Sequence, residues 1–264
     1  MDFFITDQEF DLFRQLIYKI AGISLADSKK MLLLGRLQRR LRHHHLQNFS
    51  QYYQMVSGGR NAEELQIMVD LLTTNETFFF REPKHFDFLR TEVLACRRTS
   101  STFRIWSAAS SSGEEAYSMA MLLAEYLSNA AWEIFASDIS TQMLNKARSG
   151  QYTLDRTEGI PPALLAKYCR RSPGSLEIAP ELRRRVSFQQ INLTQPIPAS
   201  IGDFEVIFLR NVMIYFDTET KRKVIANLLP RLKSGGYLVV GHSESLHGIS
   251  DAIKTVRPTI YQKP

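Results

Sequence analysis

From residue 103 onward, short apolar segments alternate with amphipathic segments, and this alternation limits the possible folds more than any other feature of the chain. Strands that alternate with helices are typical of a parallel sheet covered by helices on both faces. Residues 206–209 are all apolar, as a central buried strand requires. We therefore predict an α/β domain over residues 103–264. The predicted strands are residues 103–106, 134–138, 186–191, 206–209 and 237–240, with a last edge strand around 259–261.

Residues 1–72 have a helical pattern, which predicts a small all-helical domain. Thr6 and Glu9 have the spacing of a capping box, and Gly22 would end the first helix. Two more helices are expected, over residues 27–45 and 62–72. Residues 73–102 are predicted to link the domains and contribute to the ligand site. Prolines within about 151–185 predict a small excursion from the main sheet.

The formal net charge of +6 favours an acidic partner, which could be nucleic acid, an anionic membrane surface or a carboxylate-rich protein. Lys29, Arg36, Arg40 and His43 fall on one face of the second helix, which is either a solvated face or a docking surface. No apolar run approaches the roughly 18 residues that span a bilayer, and the N-terminus lacks a secretory pattern. We expect a cytoplasmic protein without membrane insertion.

Metal binding is not expected. Cys96 and Cys169 lack the spacing of metal ligands, and this spacing does not indicate a disulfide framework either. His43, His44 and His45 are adjacent on a helix, so their side chains point in different directions.

Ligands of open parallel sheets bind at the carboxyl ends of the strands, which here are residues 108–113, Asp138, 192–193 and 210–211. The first loop lacks both the dinucleotide and the phosphate-loop glycine patterns. Glu114 and Glu115 would repel a pyrophosphate but suit an ammonium group. Asp138 would either bind ribose hydroxyl groups or cap the following helix. An adenosine with an amino acid ammonium and no phosphate describes S-adenosylmethionine.

Three consecutive phenylalanines, residues 78–80, precede Arg81 between the two predicted domains. This segment is either a packing junction or a cover over the ligand, with Arg81 directed inward.

Taken together, these segments resemble the chemotaxis receptor methyltransferase (CheR) family over nearly the whole chain. The resemblance is carried by residues 74–77, 80–82, 106–109, 113–115, 136–140, 192–193 and, most specifically, 210–217 (Arg-Asn-Val-Met-Ile-Tyr-Phe-Asp). It implies a Rossmann-like class I methyltransferase sheet, a helical N-terminal domain and a small β insertion. It also implies methyl transfer from S-adenosylmethionine to glutamate side chains of methyl-accepting chemotaxis receptors, with S-adenosylhomocysteine as the product.

The resemblance assigns residues to the site. Glu115 matches the acid near the cofactor ammonium better than Glu114 does, and Glu114 remains the alternative. Arg81, Arg210 and Tyr215 would be catalytic. The cofactor residues would be Asn75, Thr77, Arg81, Glu115, Asp138, Asn192, Leu193, Leu209 and Arg210.

The resemblance also predicts that the basic helix with Arg36, Arg40 and His43 docks the cytoplasmic helical domain of the receptors. Members that bind a receptor C-terminal pentapeptide have a Gly-x-Gly loop, whereas residues 170–175 contain one glycine. We therefore expect docking to be independent of that pentapeptide.

Two other functions share part of this sequence pattern. Nucleic-acid amino-methyltransferases have a proline-containing motif where this chain has residues 211–215, Asn-Val-Met-Ile-Tyr, and the basic helix lacks accompanying aromatics for base stacking. A non-catalytic protein that senses S-adenosylmethionine need not retain Arg81, Glu115, Asp138 and Tyr215 together. The sequence therefore favours the receptor methyltransferase, with no nucleic-acid partner.

Overall fold

The computed structural model describes residues 3–97, 101–127 and 130–264. Met1 and Asp2 of the predicted helical domain and residues 98–100 of the predicted linker lie outside the described residues. The helices are α1 (Asp7–Ala21), α2 (Lys30–His43), α3 (Phe49–Ser57), α4 (Ala62–Leu72), α5 (Pro83–Phe88), α6 (Glu114–Tyr126), α7 (Thr141–Ser149), α8 (Pro162–Tyr168), α9 (Pro180–Arg183) and α10 (Thr218–Leu228). A π-helical segment, Leu89–Leu94, continues α5.

Strands of the described residues form a larger and a smaller sheet. The larger one has seven strands in the order β6-β2-β1-β7-β8-β10-β9, and its first five strands run parallel. This arrangement confirms the predicted α/β fold. The strands are β1 (Phe103–Ser107), β2 (Trp132–Asp138), β3 (Gln151–Thr153), β4 (Cys169–Ser172), β5 (Ser175–Ile178), β6 (Val186–Gln190), β7 (Phe204–Leu209), β8 (Leu232–Val240), β9 (Lys254–Arg257) and β10 (Ile260–Gln262).

The position of the ligand crevice follows from the strand order. From β1 the chain adds β2 and β6 on one side, whereas β7 and β8 lie on the other. The loops that follow β1 and β7 therefore diverge, and such a reversal is where open α/β sheets bind ligands.

The prediction for the sheet edge was wrong. Strand β10 lies between β8 and β9, and β9 is the edge of the sheet. All four residues of β9 are exposed, so its sequence lacks the apolar pattern by which strands are recognised.

The N-terminal helices agree with most of the sequence pattern. Thr6 and Glu9 form the predicted capping box, and Gly22 ends α1 in the left-handed conformation with φ 70°. Sequence analysis missed α3, which Asn48 caps by accepting a 2.9 Å hydrogen bond from the backbone of Gln51. The buried side chains of α3 are Phe49, Tyr52 and Val56, whose spacing fits one helical face.

The helical domain is tied to the carboxyl edge of the sheet by polar contacts. Asp70 of α4 accepts hydrogen bonds from the backbone of Thr141 (3.2 Å) and Gln142 (3.1 Å) at the start of α7. A carboxylate at this end of a helix is also stabilised by the helix dipole. On the other side, the backbone of Ser24 donates to the carbonyl oxygen of Tyr215 at 2.9 Å. The helices therefore cover the loops where the ligand crevice is expected.

The predicted excursion from the main sheet forms the smaller sheet, with order β3-β5-β4 and antiparallel pairing. Gly174 turns the β4–β5 hairpin with φ 74°. Tyr152 of β3 donates a 2.7 Å hydrogen bond to the carbonyl oxygen of Ser112, so the insertion packs against the loop that follows β1.

Glu64 of α4 is the centre of a polar network inside the helical domain. Its carboxylate accepts hydrogen bonds from Arg40 (2.8 Å) and Tyr52 (2.8 Å) and lies 2.8 Å from the imidazole Nε2 of His44. Burial opposes the ionisation of Glu64, but these hydrogen bonds outweigh burial and lower its pKa to about 2. Arg40 is therefore neutralised within its own domain.

Replacing Glu64 by Gln should lower the free energy of unfolding at neutral pH by about 2–3 kcal/mol, because Arg40 loses its buried counter-ion. The pKa of Glu64 is lower in the folded chain (about 2) than the ordinary 4.5, so its stabilisation is complete above pH 4.5 and is lost as the pH falls toward 2. Urea denaturation of wild type and variant at neutral and acidic pH should show a difference that shrinks on acidification. Glu63→Gln, on the exposed face of α4, is the control, and an equal loss in that variant would contradict the assignment.

Candidate functional site

A cavity of about 510 Å³ lies between the helical domain and the carboxyl ends of the strands, a size typical of small-molecule sites. The segment that joins the domains and the loops after β1, β2 and β7 contribute to its wall. Lys29 and Arg36 of the helical domain also line it. The predicted site residues at the cavity wall are Asn75, Thr77, Arg81, Glu115, Asp138, Asn192, Leu193, Arg210 and Tyr215.

Leu209 differs from the expectation. Its side chain is fully buried in the core shared by the sheet and the N-terminal helices, and it is not part of the cavity wall. Leu209 is the last residue of β7, and its neighbour Arg210, which follows the strand, lines the cavity instead.

Glu114 and Glu115 are adjacent in the sequence but have different surroundings. Glu115 lines the cavity, where it accepts hydrogen bonds from the Ser107 hydroxyl (2.6 Å) and from Arg210 (3.1 Å). Burial raises the pKa of Glu115, although the charge of Arg210 opposes this shift. Glu114 is fully buried, accepts from the Ser112 hydroxyl at 2.7 Å, and does not line the cavity.

Asp138 ends β2 and is bound by two backbone groups. It accepts hydrogen bonds from the N–H groups of Ser111 (2.8 Å) and Ser140 (2.9 Å), and burial raises its pKa. Ser140, rather than Asp138, provides the side-chain cap of α7. Asp138 therefore presents a carboxylate to the cavity from a position that its backbone partners hold in place.

Arg210 follows β7 and lies between two carboxylates. Its side chain is 1% exposed and donates to Glu82 (3.0 Å) and Glu115 (3.1 Å), as well as to the carbonyl oxygen of Arg81. Burial opposes the ionisation of Glu82, but a hydrogen bond from Asn211 and the charge of Arg210 outweigh burial and lower the pKa of Glu82. The linking segment is thus fastened to the end of β7.

The loop that carries Tyr215 is held from two sides. Glu244 accepts hydrogen bonds from the backbone of Asn211 (2.9 Å), Ile214 (3.3 Å) and Gly241 (2.7 Å). The backbone of Ser24 donates to Tyr215 from the opposite side. Glu244 was not predicted from the sequence, although it follows the carboxyl end of β8, where ligands of open parallel sheets bind. No role was predicted for Glu82.

The three phenylalanines before Arg81 have different surroundings. Phe79 is buried with its ring 4.9 Å from that of Tyr152, and Phe80 packs against Phe86 at 5.1 Å. Phe78 is 48% exposed and lines the cavity beneath the guanidinium of Arg81. The expected aromatic cover therefore consists of Phe78 alone, and the other two rings form a packing junction.

The remaining cavity residues are anchored by neighbouring segments. Asn75 donates to the Thr73 hydroxyl at 3.0 Å, and the carbonyl oxygen of Thr77 accepts from Arg156 of the insertion at 3.1 Å. Asn192 donates to the carbonyl oxygen of Ile20 at 2.6 Å, which joins the loop after β6 to α1.

The residues predicted to dock a partner are partly engaged inside the molecule. Arg36 donates to the carbonyl oxygens of Leu72 (3.2 Å) and Thr73 (3.0 Å), and Arg40 is paired with Glu64. His43 is exposed, and its ring contacts His44. Of these three side chains, Arg36 lines the cavity itself.

The carboxylates of the cavity fit a cofactor that has a cation and a diol. Glu115 and Asp138 are carboxylates withdrawn from water, so a ligand ammonium or hydroxyl pair would satisfy them better than a phosphate. These are the groups of S-adenosylmethionine.

Comparison with protein families agrees with this chemistry. Residues 8–73 match the model of the CheR methyltransferase all-alpha domain, and residues 75–262 match that of the CheR methyltransferase SAM binding domain. The chain belongs to the CheR methyltransferase family. It is a methyltransferase that uses S-adenosylmethionine, with the two-domain architecture of this family.

Relatives of this CheR-family chain cover nearly its full length. The chemotaxis protein methyltransferase of Salmonella typhimurium is 41% identical over 97% of this chain and 90% of its own length. That of Escherichia coli is 40% identical over 97% and 91%. Chemotaxis protein methyltransferase 2 of Pseudomonas aeruginosa is 39% identical over 98% and 94%.

Within the described residues, the helices of this CheR-family chain are too short or too polar to cross a bilayer.

Replacing Glu115 by Gln should weaken S-adenosylmethionine binding about 10- to 100-fold, because a charge-assisted hydrogen bond to the ammonium is lost. Glu114→Gln is the matched control, since Glu114 adjoins it in sequence but does not line the cavity. Isothermal titration calorimetry with both variants measures the difference. Similar losses in the two variants, or a loss only in Glu114→Gln, would contradict the assignment of the ammonium to Glu115.

Proposed function

We propose that this chain transfers the methyl group of S-adenosylmethionine to glutamate side chains of chemotaxis receptors, giving glutamate methyl esters and S-adenosylhomocysteine. The relatives are chemotaxis protein methyltransferases, which supports a role in receptor adaptation. The observation that supports a carboxylate as the methyl acceptor is the positive charge of the arginines at the cavity. Arg81 and Arg36 line it together with Arg210, so an incoming carboxylate would be attracted.

The proposed cofactor contacts follow from the carboxylates of the cavity. Glu115 would accept from the ammonium and Asp138 from the ribose hydroxyls, and the cofactor, when bound, supplies a methyl group activated by a sulfonium. Asn75, Thr77, Asn192 and Leu193 would complete the pocket. The side chain of Leu209 would support this pocket from the core.

The two catalytic arginines have different charge environments. Arg210 is already paired with Glu82 and Glu115, so its charge is largely compensated. Arg81 contacts the ring of Phe78 and donates to the carbonyl oxygen of Glu76 at 2.8 Å. We infer that Arg81 steers the acceptor carboxylate through charge-assisted hydrogen bonds, whereas Arg210 positions Glu115.

The proposed reaction needs alignment rather than a base. A glutamate with a pKa of about 4.3 is already ionised at neutral pH, so no side chain has to remove a proton. The acceptor oxygen must meet the methyl carbon in line with the sulfur, and fixed geometry of this kind removes up to about 7–11 kcal/mol of a barrier. The opposite charges of the reactants cancel in the transition state, so exclusion of water by Phe78 and Tyr215 would help.

The proposed partner is the cytoplasmic helical domain of the receptors. Arg36 and His43 support docking through α2 more strongly than Arg40, because Glu64 neutralises Arg40. We further propose that docking does not need a receptor C-terminal pentapeptide, since the β4–β5 hairpin has a short turn with a single glycine, Gly174.

Methyl-labelled S-adenosylmethionine, the purified chain and membranes with candidate receptors test the acceptor. We expect label in receptor bands that is released as methanol by mild base and is lost in a receptor Glu→Ala variant. A receptor shortened by its last five residues should be labelled equally fast. Base-stable label would identify another acceptor group, and no label on any receptor despite cofactor binding would overturn the proposal.

Replacing Tyr215 by Phe should lower kcat about 10-fold or more and change the affinity for S-adenosylmethionine less than about threefold, because the hydroxyl is proposed to orient the acceptor. Steady-state methylation kinetics and calorimetry separate the two effects. Tyr126→Phe is the control, since Tyr126 is 51% exposed on α6 and does not line the cavity. A loss of cofactor affinity with unchanged kcat would assign Tyr215 to the cofactor instead.

A further inference from the structure

Glu82, His85 and His242 form a cluster beside Arg210 that is not part of the cavity wall. Each residue offers one ligand atom, and these atoms lie within 4.8 Å of one another. His85 is on α5, whereas His242 follows β8, so the fold brings together residues that are far apart in the chain. His85 is 2% exposed and His242 is exposed, which leaves the cluster open to solvent on one side.

The hydrogen bonds around His85 favour one tautomer of its imidazole ring. Its Nε2 lies 2.8 Å from the hydroxyl of Thr259, and that hydroxyl donates its proton to the carbonyl oxygen of Pro258 at 2.6 Å. This arrangement favours the tautomer in which Nε2–H donates to the hydroxyl and Nδ1 of the neutral ring carries a free lone pair.

This lone pair faces a second acceptor. Nδ1 of His85 lies 3.4 Å from a carboxylate oxygen of Glu82 and, among the described residues, has no hydrogen-bond partner. Two buried acceptors in contact are unfavourable unless a cation lies between them. In a tetrahedral metal site with ligands at about 2.0–2.1 Å, ligand atoms are about 3.4 Å apart. The spacing of Glu82 and His85 is that of one edge of such a site.

We propose that Glu82, His85 and His242 bind a divalent transition metal ion of the zinc class. Imidazole and carboxylate are suitable ligands for such ions, and the contact of His85 with Thr259 is the outer hydrogen bond that usually orients a metal-bound histidine. His242 completes the three ligands by a change of rotamer, which its exposure allows. Glu82 also pairs with Arg210 beside the cluster and so offsets part of its positive charge.

Metal binding would have a consequence for the cavity. The oxygen of Glu82 that faces His85 is the one that accepts from Arg210 at 3.0 Å and from the backbone of His242 at 3.2 Å. A metal ion on this oxygen competes with Arg210, which in turn positions Glu115. We therefore expect metal occupancy to inhibit methyl transfer.

Titration of the chelator-treated full chain with Co²⁺, followed by its visible absorption and by competition with Zn²⁺, tests the site. We expect one Co²⁺ per chain, with binding at least about 10-fold weaker in His242→Gln. His247→Gln, an exposed histidine five residues further along, is the matched control and should bind as wild type does. Unchanged affinity for S-adenosylhomocysteine in both variants would show that they fold normally.

Several results would overturn the metal site. These are no stoichiometric Co²⁺ binding, equal binding by His242→Gln, or an equal loss in His247→Gln. If methyl transfer is observed, Zn²⁺ should inhibit wild type and spare His242→Gln, and equal inhibition of both would also count against the site. The titration does not depend on the acceptor, so failure of receptor methylation would leave this test intact.

Discussion

The site is organised around the burial of one positive charge, that of Arg210. A guanidinium with 1% exposure must be paired, and here Glu82 and Glu115 accept from it at 3.0 and 3.1 Å. These partners come from the segment that joins the domains and from the first turn of α6, so the ion group fixes both against the end of β7. Glu82 and Asn211 have left-handed backbones with φ 57° and 58°, which cost energy that these contacts offset.

Burial also affects the carboxylates that line the cavity. The pKa of Glu115 and that of Asp138 are raised by desolvation, so a cationic or hydroxylated ligand in the cavity stabilises the ionised form of these carboxylates. The same argument separates neighbours in sequence. Glu114 is hydrogen-bonded to Ser112, and Phe79 packs against Tyr152. Their neighbours Glu115 and Phe78 line the cavity.

The cavity exists only where the two domains meet. Asp70 anchors α4 to the start of α7, Asn192 binds the end of α1, and Ser24 binds the loop of Tyr215. The basic residues of the helical domain therefore have two different roles. Part of that charge, on Arg40, stabilises the domain through Glu64, and another part, on Arg36, borders the cavity.

The sequence by itself determined the α/β fold, the capped ends of α1 and the loops that meet at the site, because periodicity and capping are local and parallel strands share one carboxyl edge. It did not reveal α3 or the edge strand β9, whose patterns are short or polar. Only the tertiary structure decided that Leu209 is not part of the cavity wall and that Glu82, His85 and His242 converge. Glu82 and His242 are 160 positions apart in the chain, and no local sequence pattern indicates which distant side chains come together in the fold.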